Sequence, residues 1–194
     1  MVLGFIPVVG LSRRNRHALD LLRMTLEPSP EVKQHPGPGQ ESCWDYPRPP
    51  RLEKVSRRLR VIHGGQTLAD SVAGYRVCET YHPPTYYIPR EDCRMDLLQP
   101  GSGSSYCEFK GRAQYFHLPT PNADGMVRDV AWSYPKPTTE YAPIREHLAF
   151  YSHKVDSCLV DNEQVTPQPG AFYGGWITSD VVGPFKGGPG TMGW

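Results

Sequence analysis

Residues 60–80 read RVIHGGQTLADSVAGYRVCET, and their pattern decides the fold class. RVIH and QTLA flank Gly64-Gly65, two residues that tolerate the positive φ angles of a tight turn, so residues 60–69 are predicted to form a β-hairpin. Residues 74–80 then alternate as a third strand. Tyr75, Val77 and Glu79 fall on one face, and Arg76, Cys78 and Thr80 on the other. His82-Pro83-Pro84 ends that strand, because proline cannot donate to a ladder.

The same signals recur towards the C-terminus. Residues 85–88 are a short β-prone run closed by Pro89, and residues 90–98 (REDCRMDLL) are expected to make one or two helical turns before a flexible PGSGSS. Residues 106–118 read as two strands with Gly111 as a bulge or close-approach point. Residues 126–134 read as another, after the turn Asn122-Ala123-Asp124-Gly125. Residues 140–150 carry helical spacing in Ile144, Leu148 and Tyr151, and residues 155–165 form a last hairpin about Asp161-Asn162. Seven or eight strands at near-regular spacing, with short helices between, predict a mainly β, antiparallel single domain over 41–165.

Composition supports this reading. Of 194 residues, 21 are Pro and 19 are Gly, which disfavours long helices. Charge is nearly balanced, 21 Lys and Arg against 20 Asp and Glu, and no apolar run reaches the length of a spanning helix. Residues 1–40 form a leader in which residues 17–26 place Leu19, Leu22 and Leu26 on one helical face. Its apolar start precedes Arg13, Arg14 and Arg16, the reverse of a secretory signal. The odd number of cysteines, five and without a C-x-x-C pair, fits reduced thiols and a cytoplasmic location. Residues 27–50 hold seven prolines together with Trp44 and Tyr46, which fits an arm pinned to the body. Residues 166–194 carry eight glycines and four prolines, yet Phe172, Tyr173, Trp176 and Phe185 require burial, so this segment is expected to wrap over the sheet.

The strings WDYPRPPRLE (44–53), ETYHPPTYYIPREDCRMDLL (79–98), YCEFKGRAQYF (106–116), AWSYPKP (131–137), AFYSHKVDSCLVD (149–161) and QPGAFYGGWITSDVVGPFKGGPGT (168–191) resemble the domain of unknown function 427 family. The resemblance implies a small β domain similar to the β-tent class, which includes methionine sulfoxide reductase B and the thalidomide-binding domain of cereblon. Those relatives usually hold zinc through two C-x-x-C pairs, which this chain lacks. The family has also been labelled nucleotidyltransferase-like, but the chain has no D-x-D and no P-loop pattern. Its D-x-E, at 161–163, is explained by a hairpin turn. The glycine-rich 183–190 loop with Lys186 reads as tail structure, since two prolines remove donors.

The richest chemistry falls between residues 79 and 110. Glu79, His82 and Lys110 are the acid/base candidates, and Tyr86, Tyr87, Asp92, Tyr115, Trp132 and Tyr134 are candidate ligand-binding residues, if the chain folds back as a meander. Trp132 and Tyr134 share one side of their strand. Structural roles compete throughout: His82 as a strand-end cap, Asp92 as a helix cap, and Glu79 with Lys110 as a cross-strand ion pair. Cys107, near Lys110, is the most plausible thiol nucleophile. No ligand set for a metal and no cofactor pattern emerges. The cations Arg51, Lys54, Arg57, Arg58 and Arg60 are better explained as a solvated strand edge than as a nucleic-acid surface. The expected partner is a small polar or anionic molecule. The alternative is a structural or protein-interaction module working through its arms, and the oligomeric state stays open.

Overall fold

The computed structural model describes residues 33–121, 125–191 and 193–194. The amphipathic segment at 17–26 and residues 122–124 of the predicted turn lie outside them. In chain order the strands are β1 (Glu41–Ser42), β2 (Arg51–Val55), β3 (Leu59–His63), β4 (Gln66–Ser71), β5 (Gly74–Cys78), β6 (Thr85–Tyr87), β7 (Gln99–Cys107) and β8 (Gly111–Pro119). They continue as β9 (Met126–Ser133), β10 (Leu148–Phe150), β11 (Ser157–Val160), β12 (Glu163–Gln164), β13 (Thr166–Pro167), β14 (Trp176–Ile177) and β15 (Val181–Val182). The protein is mainly β, with short 3-10 turns at Arg90–Asp92, Met95–Leu97 and Thr139–Ile144 among the connections. Among the described residues no helix is long and apolar enough to cross a membrane.

The Gly64-Gly65 hairpin forms as β3 and β4, with both glycines at positive φ. These strands join β11 and β12 in the order β12-β11-β3-β4. Two further sheets, β2-β5-β6 and β10-β9-β8-β7, are linked where Ile88 and Leu148 exchange backbone hydrogen bonds of 2.7 and 2.8 Å. The result is a nearly continuous surface of seven strands. Alternation divides its side chains: Tyr86, Ile88, Phe116, Ala131 and Phe150 enter the main core with Leu59, Val61, Leu68 and Cys158 of the other four-stranded sheet. Val77, Tyr87, Trp132 and Tyr134 pack on the opposite side in a second cluster. That opposite side carries the candidate site.

Both arms wrap the body. β1 pairs in parallel with β15, and Cys43, Tyr46, Cys78 and Val181 form a small core that joins the two arms to β5. Arg57 and Arg58 of the basic stretch are held in ion pairs: Arg57 meets Asp161 and Asp180 at 2.9 and 2.8 Å, and Arg58 meets Asp70 at 2.6 Å.

Four expectations are corrected. PGSGSS is part of β7, because the strand opposite supplies ladder partners that override its weak local propensity. Gly111 is not a bulge: it closes the turn into β8 at φ +92 with the Lys136 carbonyl oxygen 3.4 Å from where a Cβ would stand, and the register shifts lie elsewhere in the sheet, at 100–104 and 116–118. Residues 140–150 form no α-helix. Pro143 removes a donor, and Leu148 is claimed by Ile88 as sheet. Phe172 is 76% exposed instead of buried, whereas Trp176 from the same segment is 0% exposed.

Candidate functional site

A cleft of about 440 Å³ opens on the seven-stranded face. Its floor and walls come from five strands and the turn after β7. β5 supplies Val77 and leads to Glu79, β6 supplies Tyr87, β7 supplies Ser105 and Tyr106, β8 supplies Tyr115, and β9 leads from Trp132 to Tyr134. Registry places them side by side: Tyr115 lies opposite Trp132, and Val77 opposite Thr85. Cys107, Glu108, Phe109 and Lys110 border it from the β7–β8 turn. The fourth side is the C-terminal arm, through Gln168, Phe172, Tyr173, Gly174 and Lys186.

Seven of the nine candidates from the sequence therefore border one cleft: Glu79, His82, Tyr87, Lys110, Tyr115, Trp132 and Tyr134. Tyr86 and Asp92 do not. Neighbouring residues of a strand point to opposite faces, so Tyr86 enters the main core against Trp176, with ring centroids 5.3 Å apart, while Tyr87 faces the cleft. Asp92 ends the 3-10 turn Arg90–Asp92, away from the cleft lining. Sequence reasoning missed Arg48, Gln168 and Lys186. Lys186, which reads as tail structure in sequence, borders the cleft because that tail folds back.

Lys110 is 7% exposed, and its Nζ stands 5.8 Å from the ring centroids of both Tyr134 and Tyr141, within cation–π range. Burial alone would lower its pKa; Tyr134, Cys107 and Glu79, with a hydrogen bond to Cys107, outweigh burial and leave it raised. The group is a fixed cation. The cross-strand pair of Glu79 with Lys110 does not form. Arg48 takes Glu79 instead at 3.4 Å and Glu108 at 2.5 Å. The lining thus holds three cations, Arg48, Lys110 and Lys186, against the carboxylates Glu79 and Glu108, an excess of one positive charge.

Aromatic rings supply the other walls. Trp132 and Tyr151 have centroids 4.5 Å apart, and the Tyr115 hydroxyl meets that of Ser105 at 2.7 Å. Burial raises the phenol pKa values of Tyr87 and Tyr134, so both stay protonated and able to donate. Tyr106 and Phe172, 75% and 76% exposed, stand at the rim. The cysteines are all free; Cys43, Cys78, Cys93 and Cys158 are buried, and Cys107 is the half-buried one that reaches the cleft. Among the described residues no group of three or more His, Cys, Asp and Glu side chains converges as metal ligands do.

The arm closes on the cleft because Gly174 has no side chain. A Cβ there would stand 2.2 Å from Trp132 Cη2, far inside contact distance. Gly174→Ala is expected to push the arm off Trp132 and destabilise by about 1–3 kcal/mol, seen as a lower Tm and a red-shifted tryptophan emission. Unchanged values for both would show that the arm does not rest there.

His82 sits at the strand end with its ring 4.6 Å from that of Tyr173. Burial, then the nearby Lys186, Arg48 and Lys110 cations, lower its pKa from 6.5 to about 4. The unfolded chain therefore binds more protons between those two values, and stability falls as pH drops through the window. Tm of the wild type should fall more steeply from pH 6.5 to 4 than Tm of His82→Gln. Parallel slopes would mean that the folded imidazole titrates normally.

Taken together, these features define a β domain with an aromatic, cation-bordered cleft that its own C-terminal arm completes. The chain belongs to the family described as domain of unknown function (DUF427), whose sequence profile matches residues 51–161. No curated protein matches the chain. The matched range contains Glu79, His82, Lys110, Tyr115, Trp132 and Tyr134, while Arg48 precedes it and Gln168 and Lys186 follow it.

Proposed function

We propose that the cleft binds a small anionic molecule with a planar group, and that residues 41–165, completed by the 166–194 arm, are the unit that does so. The observation that carries this reading is Lys110: a buried ammonium that borders the cleft and lies between two tyrosine rings, with the nearest candidate carboxylate already paired to Arg48. Burying a charge is costly, and a ligand anion would recover that cost. Tyr115, Trp132 and Tyr151 supply faces for a planar group, and Tyr87 and Tyr134 supply hydroxyl donors. Glu79 is the group available for proton transfer should the bound molecule react, while Lys110 stays a cation. The five free thiols support a reducing, cytoplasmic setting.

The test is thermal unfolding against nucleotides, sugar phosphates, cyclic imides and methionine sulfoxide. A ligand at a hundred times its Kd stabilises by about 2.7 kcal/mol, a rise of roughly 5–10 °C for a chain of this size. A flat panel would favour the second reading, a protein-interaction module, which the exposed rim aromatics Tyr106 and Phe172 support.

A further inference from the structure

Gln168 follows β13, is 3% exposed, and commits its amide to three partners. Its Oε1 accepts the Gly175 N–H at 3.1 Å. Its Nε2 lies 2.8 Å from the Lys186 carbonyl oxygen and 2.9 Å from His82 Nδ1. A backbone N–H only donates and a carbonyl only accepts, so the orientation of the amide is dictated: the NH2 group faces Lys186 and His82. One of its protons goes to the carbonyl and the other to Nδ1. That nitrogen must then carry the lone pair, and the proton of the neutral imidazole sits on Nε2.

We infer that Gln168 holds His82 as the Nε2–H tautomer, so that the imidazole offers the cleft a hydrogen-bond donor and the ligand meets it with an acceptor oxygen of a phosphate, carboxylate or carbonyl group. The ligand half of this inference rests on the binding reading above. It narrows that reading, because a nitrogen that carries a proton and donates cannot also serve as a base, and Nδ1, the nitrogen with the free pair, is closed off by Gln168. Protonation of His82 would set an Nδ1–H against the Gln168 NH2, donor against donor. Turning the amide over would in turn abandon both Gly175 and Lys186. The charged groups around the imidazole, Lys186, Arg48 and Lys110, oppose its protonation as well. Gly175 keeps the arrangement close, since a Cβ there would stand 2.5 Å from Gln168 Oε1 and 2.7 Å from Pro83. Gln168 is a positioning residue: it acts through His82.

The experiment is nitrogen NMR of the full chain labelled with ¹⁵N-histidine at pH 7, for the wild type, Gln168→Glu and Gln168→Leu, with Tm measured on each to confirm folding. The wild type should show a protonated Nε2 and a bare Nδ1. The near-isosteric Gln168→Glu should reverse them, its carboxylate accepting from Nδ1–H, and Gln168→Leu should give a mixture. A wild type protonated on Nδ1, or one tautomer persisting through both variants, overturns the positioning role. Inorganic phosphate is then the probe. It should shift the Nε2–H resonance and slow its exchange with water. Phosphate that raises Tm in a Lys110-dependent way yet leaves Nε2–H unchanged overturns the donor role and leaves the cleft reading standing. A fixed tautomer in a protein that binds neither phosphate nor any panel member overturns the ligand half together with the cleft reading, and the role of Gln168 survives.

Discussion

Trp176→Ala should lower stability by roughly 3–5 kcal/mol, the range for truncating a fully buried large aromatic. At about 2–4 °C per kcal/mol for this chain length, Tm should fall by roughly 6–20 °C. Trp176 is 0% exposed and lies in the main core against Tyr86. Its indole Nε1 donates to the Phe150 carbonyl at 3.0 Å, and its backbone N–H donates to that of Pro84 at 2.9 Å. Alanine keeps the backbone bond, opens a cavity, and leaves the Phe150 carbonyl without its indole partner. Because Phe150 belongs to β10 and Pro84 precedes β6, this one residue fastens the arm where the two sheets meet, its side chain through Phe150 and its backbone through Pro84. Chemical unfolding of wild type and variant measures the effect. A loss below about 1 kcal/mol, within the range of surface substitutions and weak contacts, would mean that the arm is dispensable to the core.

The second large effect is on binding. Lys110→Met preserves length and apolar contact with Tyr134 and Tyr141 but removes the cation. A hydrogen bond to a charged partner contributes about 1.5–3 kcal/mol, so affinity for the ligand found in the panel should fall roughly 10- to 150-fold. Stability should move the other way or stay level, because the variant no longer buries a charge. Opposite signs for affinity and stability mark a residue kept for binding. Titration calorimetry and thermal unfolding of the same preparations give both numbers. A Tm loss as large as that of Trp176→Ala, with affinity intact, would make Lys110 a structural residue and remove the basis of the proposed cleft.

The two substitutions probe opposite faces of one surface. Trp176 works on the side where the seven strands meet the sheet β12-β11-β3-β4, and Lys110 on the side that the arm covers. The arm serves both. It drives Trp176 into the core, lays Gly174 across Trp132, and brings Gln168 to His82 across 86 residues of sequence. Stability and site geometry are therefore coupled, and Gly174→Ala should disturb both.

What the sequence by itself determined is what depends on neighbours in the chain. Gly64-Gly65 fixed the β3–β4 hairpin because positive φ is a property of the residue. The period-2 pattern placed Tyr75 and Val77 on one face of β5 and put Trp132 and Tyr134 together, because alternation is built into an extended backbone. The motifs between residues 79 and 134 were enough to gather Glu79, His82, Lys110, Tyr115, Trp132 and Tyr134. Tertiary structure decided what depends on partners far along the chain. Which tyrosine of the 86–87 pair faces the cleft follows from where the second sheet packs. Whether residues 140–150 coil or extend follows from Leu148 finding Ile88. PGSGSS became strand because β8 lies beside it. Arg48, Gln168 and Lys186 joined the site by long-range folding of two arms whose local composition, rich in proline and glycine, carries no periodicity from which a contact could be read. Periodicity specifies a face, and only the long-range packing that buries or covers that face assigns it a use.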